Sequence, residues 1–343
     1  MFDYQFNPES LNPAKRRHGI SAFLRVRNGE DFLHAAIESH IVYFDEIIAV
    51  YNQCTDRTPE ILYSLQEKHP EKIKVYEYRP RVYPPGSERH RTTPPASVNS
   101  LANYSNYALS KTTCKFATKL DDDHLAIDAN LSKVIDRIKK NGLDDKMICF
   151  SGINLIKSKE GYIGVYKTRP FSGNGDHWFF PVSEETYFVH DGVTEKLHVE
   201  MEMEYAGITY FHLKFLKKGY GFTNYELESE PDNYYAPLLK ELIDATEVQP
   251  FESFVKECSR KANFSPLRGR IVEILTKTPL SLLKLFRQSP VIRRHPFLSS
   301  VHYMRTINFR KDIKGVQLPE QELLELINRE SMHMHGEPPG ESS

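Results

Sequence analysis

Phe116-Ala117-Thr118-Lys119-Leu120-Asp121-Asp122-Asp123-His124 decides the reading of this chain. An apolar stretch runs straight into three consecutive aspartates. Adjacent carboxylates repel, and each is costly to desolvate unless a cation sits among them. A strand that ends this way delivers negative charge to the C-terminal edge of a sheet, where open α/β folds bind their ligands. Carboxylate oxygens are hard donors and favour Mg²⁺ or Mn²⁺. The cluster therefore reads as a divalent-metal site for a phosphorylated substrate. It reads equally as an acidic turn capping the helix that follows, since Asp is a favoured N-cap.

Outward from the cluster the chain alternates. Ile20–Val26 is an apolar run of the kind that forms a buried strand. Asn28 or Asp31 is placed to cap a helix reaching about His40. Glu46–Tyr51 follows as a second strand, then a turn-rich stretch from Asn52 to Thr58, then a helix opened by Pro59. Lys72–Tyr78 alternates as a third strand, and Arg79–Ala96, with its prolines and basic residues, reads as a long loop. Ser97–Ser110 is the next helix, and Cys114–Leu120 is the strand that carries the aspartates. This pattern predicts an α/β fold with a doubly wound, mostly parallel sheet. Beyond it a helix over about Leu131–Lys140 precedes a strand near Met147–Phe150, a mixed region reaches about Phe222, and helices broken by prolines follow from Pro237. The expected division is an N-terminal arm at 1–18, a catalytic domain at 19–235, a basic helical region at 236–331 and a disordered tail at 332–343.

The 343 residues are 40% hydrophobic and 27% charged, which marks a globular chain. A formal net charge of -1 implies no global polyanion partner, and no nucleic-acid motif is present. Cys54, Cys114, Cys149 and Cys258 form no CxxC pair, so neither a zinc site nor a disulfide framework is indicated. Met1–Gly19 lacks the apolar core of a signal peptide, and no run is long enough to cross a bilayer, so a cytoplasmic protein is expected. The near-neutral total hides an asymmetry. Between Lys256 and Lys314, fourteen Lys and Arg residues face only Glu257, Glu273 and Asp312, with apolar residues interleaved. Such a segment suits the anionic inner face of a membrane, and it equally suits helices packed on the main domain with an ordinary basic surface.

Three motifs in order resemble those of nucleotide-sugar glycosyltransferases with the GT-A fold, most closely family 2. Val50-Tyr51-Asn52-Gln53-Cys54-Thr55-Asp56-Arg57-Thr58 is similar to the family's nucleotide loop, Asn103–Ala108 resembles its Asn-bearing helix, and Asp121-Asp122-Asp123 matches its D-x-D motif. The resemblance spans roughly Gly19–Tyr225. It implies a Rossmann-like GT-A fold with a helical C-terminal extension. It also implies a sugar transfer from a nucleotide-sugar donor, with a UDP-sugar as first choice, to a glycan or lipid-linked acceptor in bacterial surface polysaccharide (lipopolysaccharide or capsule) synthesis. Arg25, Arg27, Asn52, Asp56, Asn106, Asp121 and Asp122 then fall to the donor, and Asp123, Asp121 and His212 to Mn²⁺ or Mg²⁺. An inverting reaction needs a base, and the family's position for it makes Asp191 the first choice, with Glu195 and Asp176 behind it. The Gly-rich loop Phe171–Trp178 resembles the acceptor-side loop and equally reads as a hairpin turn. Two departures stand out: Tyr51 or Asn52 replaces the usual uracil-binding Asp, and Ser105 replaces the Arg of the second motif. A sugar-phosphate nucleotidyltransferase is the alternative enzyme, although Arg27-Asn28-Gly29-Glu30 is poor in the glycine such a fold needs there. An inactive GT-A-like binding module is the alternative of another class.

Overall fold

The computed structural model describes residues 4–172, 177–190, 192–199, 201–244, 248–260, 313 and 315–333. The core is a mixed sheet whose N-terminal half, β3 (Ile73–Glu77), β2 (Glu46–Tyr51), β1 (Arg17–Val26) and β4 (Cys114–Lys119), is parallel throughout. β1 is central and buried from Gly19 to Leu24, which is why its sequence reads as a continuous apolar run rather than an alternation. Side chains still separate by face. Ile20, Ala22 and Leu24 join Ile47 and Ala49 under α1 (Leu33–His40), α2 (Thr58–Lys68) and α5 (Asp128–Asn141). Phe23, Ile48 and Val50 point the other way, against α4 (Leu101–Ser110).

The second half is built on β6 (Lys146–Lys157) and β12 (Glu202–His212), two long strands that pair in parallel. β9 (Trp178–Pro181) joins the halves, antiparallel to both β4 and β6. Short strands fill the rest: β5 (His124–Ala126), β7 (Ile163–Tyr166), β8 (Phe171–Ser172) and β13 (Val248–Pro250) in the main sheet, with β10 (Phe188–His190) and β11 (Glu195–Leu197) as a separate hairpin. The described C-terminal helices α6 (Ala236–Ile243), α7 (Phe251–Arg260) and α8 (Glu320–His333) pack on this half. Leu242 sits with Tyr166 and Phe215, while Phe254 and Leu323 sit with Val165 and Phe211. At the other end Leu11, within the expected N-terminal arm, is wholly buried beside Phe23 and Tyr78. Most of the basic segment (261–312) and the end of the tail (334–343) lie outside the described residues.

Local chemistry differs from the sequence expectation at three helix starts. α1 begins at Leu33 with no side-chain cap: Asn28 instead accepts from the Thr55 amide at 2.8 Å, and Asp31 from the Lys218 amide at 3.1 Å. α4 begins at Leu101, capped by Ser100 rather than opening at Ser97. Within the expected loop 79–96, Ser87 caps a short helix, α3 (Glu88–Thr92). The aspartate cluster caps nothing. β5 follows it directly, and α5 starts only at Asp128, so the helix-cap reading of the acidic turn fails on topology. All four cysteines are free thiols.

Candidate active site

Parallel pairing sets the site. Because Phe23 pairs with Lys119, Arg25 and Arg27 leave β1 beside the aspartates that leave β4. On the other side His212, at the end of β12, lies opposite His124 of β5 and Asn154 of β6. Between these ends opens a cleft of about 1040 Å³. Arg25, Arg27, Asn52, Asp121, Asp122, Asp123, Glu195 and His212 all line it, so eight residues singled out in the sequence meet in one cavity.

The acidic turn is pinned at both ends. The Leu120 amide donates to Phe23 O at 3.0 Å, and the Leu213 amide donates to Asp123 O at 2.8 Å. Gly29 presses against it: a Cβ there would lie 2.3 Å from Asp122 Oδ2 and 2.6 Å from Val26 Cγ2, so any larger residue would push the aspartate or the valine aside. Lys217 supplies the cation that the sequence left unassigned. Its Nζ is 2.6 Å from Asp122 Oδ2 and 3.7 Å from Asp123 Oδ2. Burial raises Asp122 to about 6, with Asp123 adding to the rise and Lys217 opposing it. Burial would raise Asp123 too, but the Lys217 ammonium outweighs it and holds that carboxyl well below the ordinary carboxylate range. Asp121 is likewise held low, because Lys119, His177 and His124 overcome the cost of burial.

Asp123 and His212 face each other in a telling way. Asn154 Nδ2 donates to Arg169 O at 2.8 Å, which fixes the amide so that its Oδ1 points at His212 Nδ1, 2.7 Å away. His212 therefore carries its proton on Nδ1 and turns the Nε2 lone pair toward Asp123 Oδ1, at 3.5 Å. That oxygen is buried without a hydrogen-bond partner among the described residues. Two acceptors aimed at each other, with the imidazole oriented from behind, suit a shared cation. The residues present thus fit a divalent metal held by Asp123 and His212.

The rest of the cleft is cationic and aromatic. Lys214 Nζ lies 4.2 Å from the centre of the Phe222 ring and 5.0 Å from that of Tyr225. Burial lowers its ammonium to about 8 against the pull of Asp123. Gly221 makes room for it: at φ +74°, a Cβ would sit 2.7 Å from Lys214 Cγ. Across the cleft Arg25 forms a buried ion pair with Glu195 at 2.7 Å, so a residue expected to meet the donor and one expected as base hold each other. Arg27 lies 3.6 Å from Glu226, which also takes Arg81 at 2.6 Å. Asn52 is buried and donates from Nδ2 to Tyr78 O and Pro80 O, both at 2.6 Å, tying the loop after β2 to the end of β3.

Two expected donor contacts lie elsewhere. Asn106 is buried under the β10 hairpin, donating to Phe188 O at 2.9 Å and accepting from its amide at 2.7 Å. Asp56 accepts from the amides of Glu30 and Thr58, each at 3.0 Å, and so shapes the start of α2. Asp191 and Asp176 lie outside the described residues, as does the middle of the Gly-rich loop. Sequence reasoning gave no role to Lys217, Lys214 or Asn154. All three reach the acidic turn only through the β6–β12 pairing, and a lone Lys or Asn carries no signal of that kind.

Strand order, acidic strand end and cationic cleft define a GT-A glycosyltransferase. Residues 2–174 match the family described as beta-1,4-N-acetylgalactosaminyltransferase (CgtA), and the chain belongs to that family. This sets aside the nucleotidyltransferase alternative. No curated protein sequence matches. Among solved structures, S. aureus TarS (residues 1–349) is similar at 12% identity over 88% of this chain and 92% of that one, with a TM-score of 0.36. Glucosyl-3-phosphoglycerate synthase from Mycobacterium tuberculosis, in complex with Mn²⁺, UDP and phosphoglyceric acid, is similar at 15% identity. The match covers 43% of this chain and 48% of that one, with a TM-score of 0.28, so the chain spans about half of the synthase's length.

Proposed function

We propose that this glycosyltransferase moves N-acetylgalactosamine from a UDP-sugar to a hydroxyl of a glycan or lipid-linked acceptor, with Mn²⁺ or Mg²⁺ at Asp123 and His212. The family description supports the sugar and the β-1,4 linkage. The observation that carries the metal reading is the apposition of Asp123 Oδ1 and His212 Nε2 at 3.5 Å, fixed by Asn154. A divalent ion there supplies charge neutralisation for the departing diphosphate. The chain's own groups do the rest. Lys217 keeps the acidic turn in place, Lys214 presents a second positive charge to the cleft, and Asp121, a third exposed, is free to meet the donor ribose. Asp191 and Asp176 stay with the acceptor side as base candidates, beside Glu195 held by Arg25. The basic stretch 256–314 suits docking on an anionic leaflet beside a lipid-linked acceptor in surface-polysaccharide synthesis. Among the described residues no helix is long and apolar enough to cross a membrane.

Thermal melts with UDP, GDP and CDP, each with and without Mn²⁺, test the donor site. At a hundredfold excess over Kd a bound ligand stabilises by about 2.7 kcal/mol. UDP should raise Tm strongly only with Mn²⁺, and Asp123→Ala should lose that coupling and about a thousandfold in turnover, ~4 kcal/mol, while staying folded. No shift with any nucleotide, or a fully active Asp123→Ala, overturns the reading. Flotation with anionic vesicles at moderate salt tests docking, and failure to co-float removes that part.

A further inference from the structure

A second set of metal-type donors adjoins the first: it lacks Asp123 and His212, although His124 also lies within ligand distance of those two. Asp121 Oδ2 lies 3.8 Å from His124 Nε2 and 3.7 Å from His177 Nε2. The three ligand atoms lie within 4.8 Å of one another. These separations are too long for hydrogen bonds, which close to about 3 Å. The two distances from Asp121 are a few tenths of an ångström wider than the edges of a tetrahedron drawn by metal–ligand bonds of about 2.0–2.1 Å. His124 is 1% exposed, and its Nε2 has no hydrogen-bond partner among the described residues. A buried polar atom left so is destabilising unless a ligand meets it.

The rings are held in place. His124 stacks on Tyr210 with centroids 3.8 Å apart, and Tyr210 OH is fixed by Ser172 at 2.8 Å. Gly152 lets that tyrosine ring lie close: a Cβ there would be 2.2 Å from it. His177 packs edge-on against His124 at 4.6 Å. We propose that Asp121, His124 and His177 form a second divalent-cation site, with zinc rather than magnesium or manganese as its ion. Two borderline imidazoles with one carboxylate make a donor set that suits Zn²⁺, which outranks Mn²⁺ where nitrogen donors predominate. Asp121 and His177 line the cleft, which leaves the fourth position open to it. If the donor reading above holds, Zn²⁺ there engages Asp121 and competes with the nucleotide sugar.

Titration of the metal-stripped full-length protein with Co²⁺, read by visible absorption, and with Zn²⁺, read by calorimetry, tests this without an activity assay. Asp123→Asn should keep a tight Zn²⁺ equivalent and the intense Co²⁺ band. His177→Gln should weaken Zn²⁺ at least tenfold and lose the band, with Asp121→Asn as the second handle if that variant melts early. An unchanged spectrum and stoichiometry in both His177→Gln and Asp121→Asn overturns the site. So does loss of the band in Asp123→Asn, because the donors would then serve one shared ion. The nucleotide melts with Mn²⁺ report on the donor site separately.

Discussion

The two walls of the cleft come from halves of the sheet built on different rules. The wall at β1 and β4 belongs to a parallel array, and it delivers Arg25, Arg27 and the three aspartates. The wall at β6 and β12 belongs to a mixed array, and it delivers Asn154, His212, Lys214 and Lys217. Each is incomplete alone. The negative charge of the first wall is met by a lysine 95 residues away, across the join. The site is therefore the place where the halves neutralise each other, so perturbing one wall should be felt on the other.

The largest effect should follow from removing that neutralisation. Lys217→Met leaves Asp122 and Asp123, 14% and 9% exposed at their side chains, without their cation. Losing one partner of a buried pair costs about 3–5 kcal/mol. Urea unfolding should show that loss, and saturating Mn²⁺ should return much of it by occupying the same negative site. A variant as stable as wild type would mean that the halves do not depend on each other electrostatically.

Acid should loosen the first half from within its core, in the same range where Asp122 titrates in the cleft. His40 is buried in α1 and shares a hydrogen bond with Ala36 O at 2.8 Å. Burial lowers its imidazole from 6.5 to about 4, so between those values the unfolded chain takes up the proton and the folded chain does not. The contribution is intact above pH 6.5, falls as pH drops toward 4, and totals about 3 kcal/mol. His40→Leu should flatten that part of the stability–pH curve. A curve of unchanged shape in His40→Leu would mean that another group sets this part of the acid transition.

How much of each wall was legible follows from the same division. The parallel half declared itself because strands buried on both faces read as apolar runs, and because three adjacent aspartates at a strand end need an explanation. The mixed half did not. β12 begins with Glu202-Met203-Glu204, whose alternation fits a strand or a helix face, and its pairing with β6 is non-local. His212 was reached through the family's habit of placing a histidine late in the chain. Asn154 had no such guide, since an asparagine is only a ligand-orienting residue once its neighbours are known. Asn106 shows the reverse: a motif match located the helix, but Phe188 takes up the amide.

Asn154 gives a smaller and more selective effect than Lys217. Asn154→Leu removes the acceptor that fixes the His212 tautomer while leaving Asp123 and Lys217 in place. Loss of such a supporting contact costs about 10–100-fold in metal affinity. Calorimetric Mn²⁺ titration should show that drop with little change in Tm. A normal affinity would mean that His212 is oriented by β12 alone and that the second wall contributes position rather than protonation state.

The smallest effect tests the join at its surface. Arg137 of α5 makes a two-pronged ion pair with Glu204 of β12, tying a helix of the first half to a strand of the second. Both side chains are 44% exposed, so water and salt screen the attraction, and exposed pairs of this kind contribute about 0–1 kcal/mol. A double-mutant cycle with Arg137→Ala and Glu204→Ala should give a coupling at the upper end of that range at low salt, because the geometry is bidentate. It should fade toward zero at 1 M NaCl, where the screening length is about 3 Å. A coupling that survives high salt would mean the pair acts by holding α5 against β12 through packing. The halves would then be clamped at their outer edge as well as at the cleft, and the dependence on Lys217 would be correspondingly weaker.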